Sequence, residues 1–209
     1  MSEPREIADK VETITSGIYH WRIQNSAIGG ATSSSHALAT NGEGCVFIDP
    51  VRLSDEALSM LPEPQAILLT ARCHQRSAWR YRKQFGIEVW LPEDATAADE
   101  EPDRRYADGD MLPGGLKAIR TPGPEWPHYS FLLESAPAVL FCSDLISSHP
   151  EQGLAFVPFE YHDDPAETVR SVERLLDLPF SILCLDHGVP VEKDPKAAIR
   201  ELLTRQAAE

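Results

Sequence analysis

The segment Ala66 to Ser77, AILLTARCHQRS, constrains this chain more than any other. Four apolar residues in a row, closed by Thr70, read as a short central strand covered on both faces. A polar turn and then a helix follow it directly. In layered α/β folds, chemistry sits just past the carboxyl ends of such strands. Ala71, Arg72, Cys73, His74, Gln75 and Arg76 therefore occupy the place where a site would form.

The flanking sequence supplies the partners this strand needs. Val11 to Gln24 reads as a first strand interrupted at Gly17, Asn25 to Ser35 as a loop rich in small residues, and His36 to Thr40 as a second strand. Asn41-Gly42 makes a turn into CVFID, Cys45 to Asp49. Ser54 caps a short helix ending at Pro62, and a second helix runs from about Ser77 to Phe85 with Gly86 as its stop. Ile87 to Leu91 is another strand. Glu93 to Asp110 is acidic and poor in large apolar residues, which describes a solvated loop with a turn or two of helix; a recruitment surface for a basic partner is the alternative.

Beyond Met111 the chain is rich in strands, at Leu116 to Thr121, Tyr129 to Glu134 and Ala138 to Leu145. Asp164, Pro165 and Glu167 open a capped helix with Val169, Val172, Leu175 and Leu176 inward. Ser181 to Leu185 is a last strand, followed by Asp186-His187-Gly188, and a final helix spans about 194–207. The order implies two packed sheets with helices on the outer faces, a four-layer αββα sandwich. We expect one domain over residues 1–209 with its core at about 11–191.

Charge and cysteine content narrow the setting. A net charge of -14 argues against nucleic acid or an anionic membrane surface as partner, since both need clustered Lys and Arg. No apolar run approaches a membrane span, and the polar, acidic start MSEPREIADK does not read as a secretory signal. Cys45, Cys73, Cys142 and Cys184 lack CxxC spacing, and three lie in apolar runs where free thiols act as small hydrophobes. A reduced, cytoplasmic setting is expected.

Five motifs, taken in order, resemble the metallo-β-lactamase superfamily of hydrolases. They are GCVFIDP, AILLT, DGDMLPGGLKAIRTPGP, FCSDLI and SVERLLDLPFSILCLDHG. The resemblance implies the αββα fold and a centre of one or two metal ions, usually zinc, held by five His and two Asp. Carried over by position, the first four ligands fall on Ala71, Cys73, Gln75 and Arg76, and the His after Thr-Pro-Gly falls on Pro124. The bridging Asp is kept as Asp144 and the last His as His187. A catalytic zinc needs about three protein ligands and an open position, and Arg76 places a permanent positive charge where a cation would sit.

Three chemistries remain for these residues. Cys73, His74, Asp144 and His187 could form a rearranged site for zinc or iron. Cys73 could be a nucleophile with His187 as base, its pKa lowered by Arg72 or Arg76; adjacent Cys73 and His74 are expected to point apart. Alternatively Asp144 and His187 pair, Arg76 joins them in place of the ions, and its guanidinium at the mouth binds a small anionic molecule, a carboxylate or phosphate. The last arrangement implies a metal-free, non-hydrolytic protein, and the first a metal-dependent hydrolase of an ester, lactone or thioester. Trp126, His128, Tyr161 and His162 are rim candidates, and His20, His36 and His149 carry no motif.

Overall fold

The computed structural model describes residues 3–42, 44–96, 98–149 and 152–208. Its first sheet holds seven strands in chain order: β1 (Glu12–Thr15), β2 (Ile18–Asn25), β3 (Ala31–Ala39), β4 (Gly44–Ile48), β5 (Glu63–Leu68), β6 (Glu88–Pro92) and β7 (Arg104–Tyr106). Strands β1 to β4 are antiparallel, and β4 to β7 are parallel. Helices α1 (Asp55–Leu58) and α2 (Ala78–Phe85) lie in the crossovers.

The second sheet is built from β8 (Met111–Leu112), β9 (Leu116–Arg120), β10 (Tyr129–Leu133), β11 (Val139–Phe141) and β14 (Ile182–Cys184), in the order β14-β11-β10-β9-β8. Strands β11 and β14 are parallel. Between them come a hairpin of β12 (Ile146–His149) with β13 (Gly153–Phe156) and helix α3 (Pro165–Leu175). Helix α4 (Pro195–Gln206) closes the chain.

Three separate apolar clusters define four layers. Cys45, Phe47, Ile67 and Leu69 pack outward against Trp79 and Tyr81 of α2. Val46, Ile48, Ala66 and Leu68 face Phe131, Val139 and Phe141 of the second sheet. Leu132, Leu140 and Leu183 meet Val172, Leu175, Ile199 and Leu202 of α3 and α4. Apolar residues run continuously through β4 and from Ala66 to Leu68 of β5 because both faces are covered there.

Several boundaries differ from the sequence expectation. The first strand is a hairpin, turning at Gly17, whose φ of 78° belongs to the left-handed region. Ala31 to Ser35, expected as loop, is the start of β3. Ser33, Ser34 and Ser35 are buried there: the Ser34 amide donates to the Asp186 carbonyl at 2.7 Å, and Ser34 Oγ to the Gly188 carbonyl at 2.8 Å. Small side chains let β3 pass directly behind the loop after β14. The acidic stretch contributes edge strand β7 and no helix among its described residues. Its carboxylates Glu100, Glu101 and Asp103 pair with Lys83, Arg105 and Arg82.

The Asp164 cap is as expected, its Oδ1 accepting from the Glu167 amide at 2.9 Å with Pro165 in the first turn. Glu167 does not complete a capping box; it pairs with Arg170 and Arg174. No helix among the described residues is long and apolar enough to cross a membrane.

Candidate functional site

The carboxyl ends of four parallel strands, β4, β5, β11 and β14, meet at one end of the sandwich. They deliver Asp49, the Thr70–Arg76 turn, Ser143-Asp144 and Asp186-His187 respectively. Asp49, Arg76 and Ser143 have positive φ, of 47°, 37° and 53°. A non-glycine residue held there costs on the order of 1–3 kcal/mol, and such strain concentrates at functional sites.

Asp144 lies at the centre. Its Oδ2 is 2.9 Å from His74 Nε2, and its Oδ1 is 2.9 Å from His187 Nε2. His187 Nδ1–H donates to the Thr32 carbonyl at 2.6 Å. On its other side, His74 Nδ1 lies 2.9 Å from Thr70 Oγ1, 3.2 Å from Asp186 Oδ2 and 3.3 Å from Asp49 Oδ2. Thr70 fixes the proton order here. Its hydroxyl donates to Asp49 Oδ2 at 2.6 Å and its amide to Oδ1 at 2.9 Å, so Thr70 Oγ1 accepts from Ser143 Oγ at 2.7 Å.

Arg76 completes the cluster from beneath. Its Nη1 donates to the Ser34 carbonyl at 2.8 Å and the Asp49 carbonyl at 2.9 Å, and its Nη2 to Asp186 Oδ2 at 3.0 Å. The residue is 6% exposed. The expected Arg76–Asp144–His187 grouping is thus corrected: Asp186 takes the guanidinium, and His74 stands between Asp186 and Asp144. Arg76 is also enclosed, not at a mouth.

The charges follow from these contacts. Burial opposes a cation on His74, but the facing carboxylates of Asp144 and Asp186 overcome it and hold the imidazole well above its usual pKa. Burial likewise opposes charge on His187, and Asp144 raises it. Burial would raise Asp144, yet the two imidazoles hold it well below the carboxylate range. Burial, with Asp49 beside it, pushes Asp186 up to about 7 against the pull of Arg76. The Arg76 guanidinium and two imidazoles whose charged forms the carboxylates favour, His74 and His187, therefore stand against the carboxyl groups of Asp49, Asp144 and Asp186.

Cys73 and His74 do not point apart as expected. The short 3-10 turn at Arg72–Gln75 curls both toward Asp144, and Cys73 Sγ lies 3.8 Å from Asp144 Oδ2. Cys73, His74 and Asp144 each offer a ligand atom within 4.8 Å of the others, as do Asp49, His74 and Asp186. Burial, followed by Asp144 and Glu125, pushes the Cys73 thiol up to about 12 against the opposing His74. That is the reverse of the low pKa a nucleophile requires.

The other expected ligand positions serve packing. Gln75 Oε1 accepts from Trp79 Nε1 at 3.0 Å and the Asp99 amide at 2.6 Å, tying the turn to α2. Glu125 beside Pro124 clamps the turn from outside, accepting from Arg72 Nε at 2.7 Å and the Cys73 amide at 3.2 Å. His128 supports Asp144: its Nδ1–H donates to the Thr121 carbonyl at 2.8 Å, and its Nε2 accepts from the Asp144 amide at 3.3 Å. Burial lowers its pKa to about 4, so it is a neutral prop.

Trp126 is 58% exposed with the Arg120 guanidinium 3.9 Å over its ring, and Tyr161 is 71% exposed. His162 Nδ1 is held by Thr168 Oγ1 at 2.9 Å. A groove of about 610 Å³ lined by Gly17, Leu38, Lys117 and Pro137 lies at the amino ends of β4 and β11, and shares no residue with this cluster.

Sequence reasoning missed Asp49, Thr70, Ser143, Asp186, Glu125 and the supporting part of His128. Asp49, Thr70 and Asp186 shared one legible signal, a polar residue immediately after a buried strand. Glu125 had none.

Two sheets between helices, with polar side chains gathered at the carboxyl ends of parallel strands, define a layered α/β protein of the αββα type. The metallo-beta-lactamase superfamily model matches residues 15–205, and the chain belongs to that superfamily. Solved structures agree on the fold. The DIM-1 metallo-beta-lactamase superposes with TM-score 0.75 at 12% identity, covering 96% of this chain and 99% of that one. A metallo-beta-lactamase family protein from Thermus thermophilus gives 0.68 at 18% identity, covering 94% and 81%. An archaeal superfamily protein from Sulfolobus tokodaii gives 0.66 at 16% identity, covering 84% and 80%. No protein of curated function matches the sequence.

Proposed function

We propose that this chain is a metal-free, non-hydrolytic member of its superfamily, in which imidazolium and guanidinium groups carry the positive charge that metal ions carry in relatives. The observation that carries this reading is the enclosed Arg76 guanidinium, bonded to Asp186 and to two backbone carbonyls. A fixed cation there raises the cost of bringing a second one into the same acidic cup.

The donor set supports the same conclusion. Ala71 and Pro124 offer no side-chain ligand, and Gln75 is turned into α2. Both Asp144 oxygens face imidazoles, whose second nitrogens are engaged by Thr70 and the Thr32 carbonyl. A metal would have to displace protons from His74, from His187 and from a thiol pushed up to about 12. The residues present do not fit the superfamily's metal pair.

A small anionic molecule would meet His187, which is 18% exposed and whose pKa Asp144 raises, and not the enclosed Arg76. Phosphate and acetate are suitable probes, with binding expected to weaken in His187→Gln.

The deciding experiment is metal content by mass spectrometry on tag-free protein, purified without chelator and then challenged with excess zinc. We expect substoichiometric zinc, iron and manganese. About one tightly held ion per chain overturns the proposal. It would favour the second reading, a hydrolase of an ester, lactone or thioester, which rests on the convergence of Cys73, His74 and Asp144. In that case Cys73→Ala, His74→Ala and His187→Ala would each release the ion.

A further inference from the structure

Behind the last loop lies a pair of histidines that the site does not use. His20 on β2 and His36 on β3 are cross-strand neighbours, each 1% exposed, with ring centroids 5.2 Å apart. Among the described residues none of their four ring nitrogens has a hydrogen-bond partner. Each neutral imidazole holds one N–H and one lone pair; those of His36 are stranded in the interior, and those of His20 have only long contacts, the nearest carboxylate oxygen being Glu12 Oε2 at 3.5 Å. Buried polar groups are paired in the great majority of cases, and each exception calls for an explanation.

The surroundings show what charging this pair would do. His36 packs edge-on against Phe141 of the second sheet at 5.2 Å. His20 faces the Gly188 carbonyl, and Gly188 follows His187. Space there is tight: Gly188 has φ 111°, and a Cβ on it would run into the Ser148 carbonyl. The charged groups facing the pair are Glu12 of β1, whose Oε2 is 3.5 Å from His20 Nδ1, Arg22 of β2, and Arg76 from the turn before α2. Glu12 is 60% exposed and cannot offset a buried charge at full strength. Arg22 and Arg76 oppose it.

We propose that His20 and His36 form an acid-sensitive joint: a proton on either ring is driven toward water, parting the two sheets at Phe141 and loosening the loop that carries His187. Strand β3 is the lever, since Ser34 holds Asp186 and Gly188 by backbone and hydroxyl, and Thr32 holds His187. Burial keeps both rings below the usual imidazole pKa, and His20 further opposes charging of His36. The proposal goes beyond the metal-free reading and does not depend on it.

The test is amide hydrogen exchange on the full chain at pH 7 and pH 5, corrected for intrinsic rates. Protection in segments 18–25, 31–39 and 186–191 should fall by about tenfold or more at pH 5, because the opened state takes up protons that the closed one excludes. Protection in α3 should hold. In the double variant His20→Gln/His36→Phe, which leaves no proton site in the pair and fills the space beside Phe141, the fall should vanish. An equal fall in that variant, or none in the wild type, overturns the proposal. Ring nitrogen shifts of the wild type give a check that needs no variant: both rings should be neutral at pH 7, and a charged ring there overturns it too.

Discussion

Replacing Asp144 by Asn keeps the shape of the central side chain and removes its charge. His74 and His187 then lose the carboxylate that each approaches at 2.9 Å. Asp144 is only 17% exposed, so solvent screening weakens the pairs little. Removing one partner of a buried ion pair costs about 3–5 kcal/mol. In a chain of this size that corresponds to a fall of about 6–20 °C in Tm.

The pH profile of this loss is diagnostic. Asp144 is depressed in the folded state, so its contribution is present above the unfolded carboxylate pKa of about 3.9 and is lost as pH falls through the lower folded value. His74 and His187 are raised, so theirs is complete below the unfolded imidazole pKa of about 6.5 and is lost as pH rises through the folded values. The difference between wild type and Asp144→Asn should therefore be greatest between about pH 4 and 6.5 and shrink on both sides. Urea unfolding at pH 3, 5.5 and 9 measures it. A difference below about 1 kcal/mol at pH 5.5, or one that does not change with pH, refutes the charge-replacement account.

Arg76→Met strands Asp186 and the Ser34 and Asp49 carbonyls; thermal unfolding should show a loss of about 3–5 kcal/mol, and adding Asp186→Asn should return part of it because the two sites are coupled. Cys73, with its thiol at about 12, should react with a disulfide reagent at pH 8 about 10³-fold more slowly than a free thiol, as followed by absorbance in a variant lacking the other three cysteines. His128 stays neutral in the folded chain down to about 4, so wild-type stability should drop by up to about 3 kcal/mol between pH 6.5 and 4 on its account. His128→Leu should remove that slope in urea unfolding while costing about 1–3 kcal/mol at pH 7, since it strands the Asp144 amide and the Thr121 carbonyl.

The layers were legible because burial on two faces writes a continuous apolar run, as in CVFI and AILL, while burial on one face of a helix writes a period near 3.6, as in α3. The Ala31–Ser35 half of β3 was not legible. Ser34 there is held by hydrogen bonds to the loop after β14, a contact more than 150 positions away, and local composition reads as loop. At the site, Asp144, His187, His74 and Cys73 were found by position, and Asp144 and His187 pair as expected, but the partner of Arg76 was not found. Which carboxylate takes Arg76 depends on the positive φ at Arg76, which aims the side chain under the cup toward Asp186. A one-dimensional pattern of charges carries no sign of that direction. Glu125 was missed for a similar reason, since its partners at Arg72 and Cys73 are some fifty positions away in an unrelated segment.

The three acidic residues of the centre come from three different strand ends, those of β4, β11 and β14, whereas His74 and Arg76 come from a single turn. The acidic cup thus belongs to the framework, and two of its three counter-charges belong to one interchangeable loop. Grafting a different turn at residues 71–76 would change the electrical character of the centre in one step and leave the sheets as they are. Equally, one inserted or deleted residue in that turn would withdraw His74 and Arg76 together and leave three carboxyl groups facing one another. Within this architecture, the most sensitive register lies not along any strand but in six residues of loop.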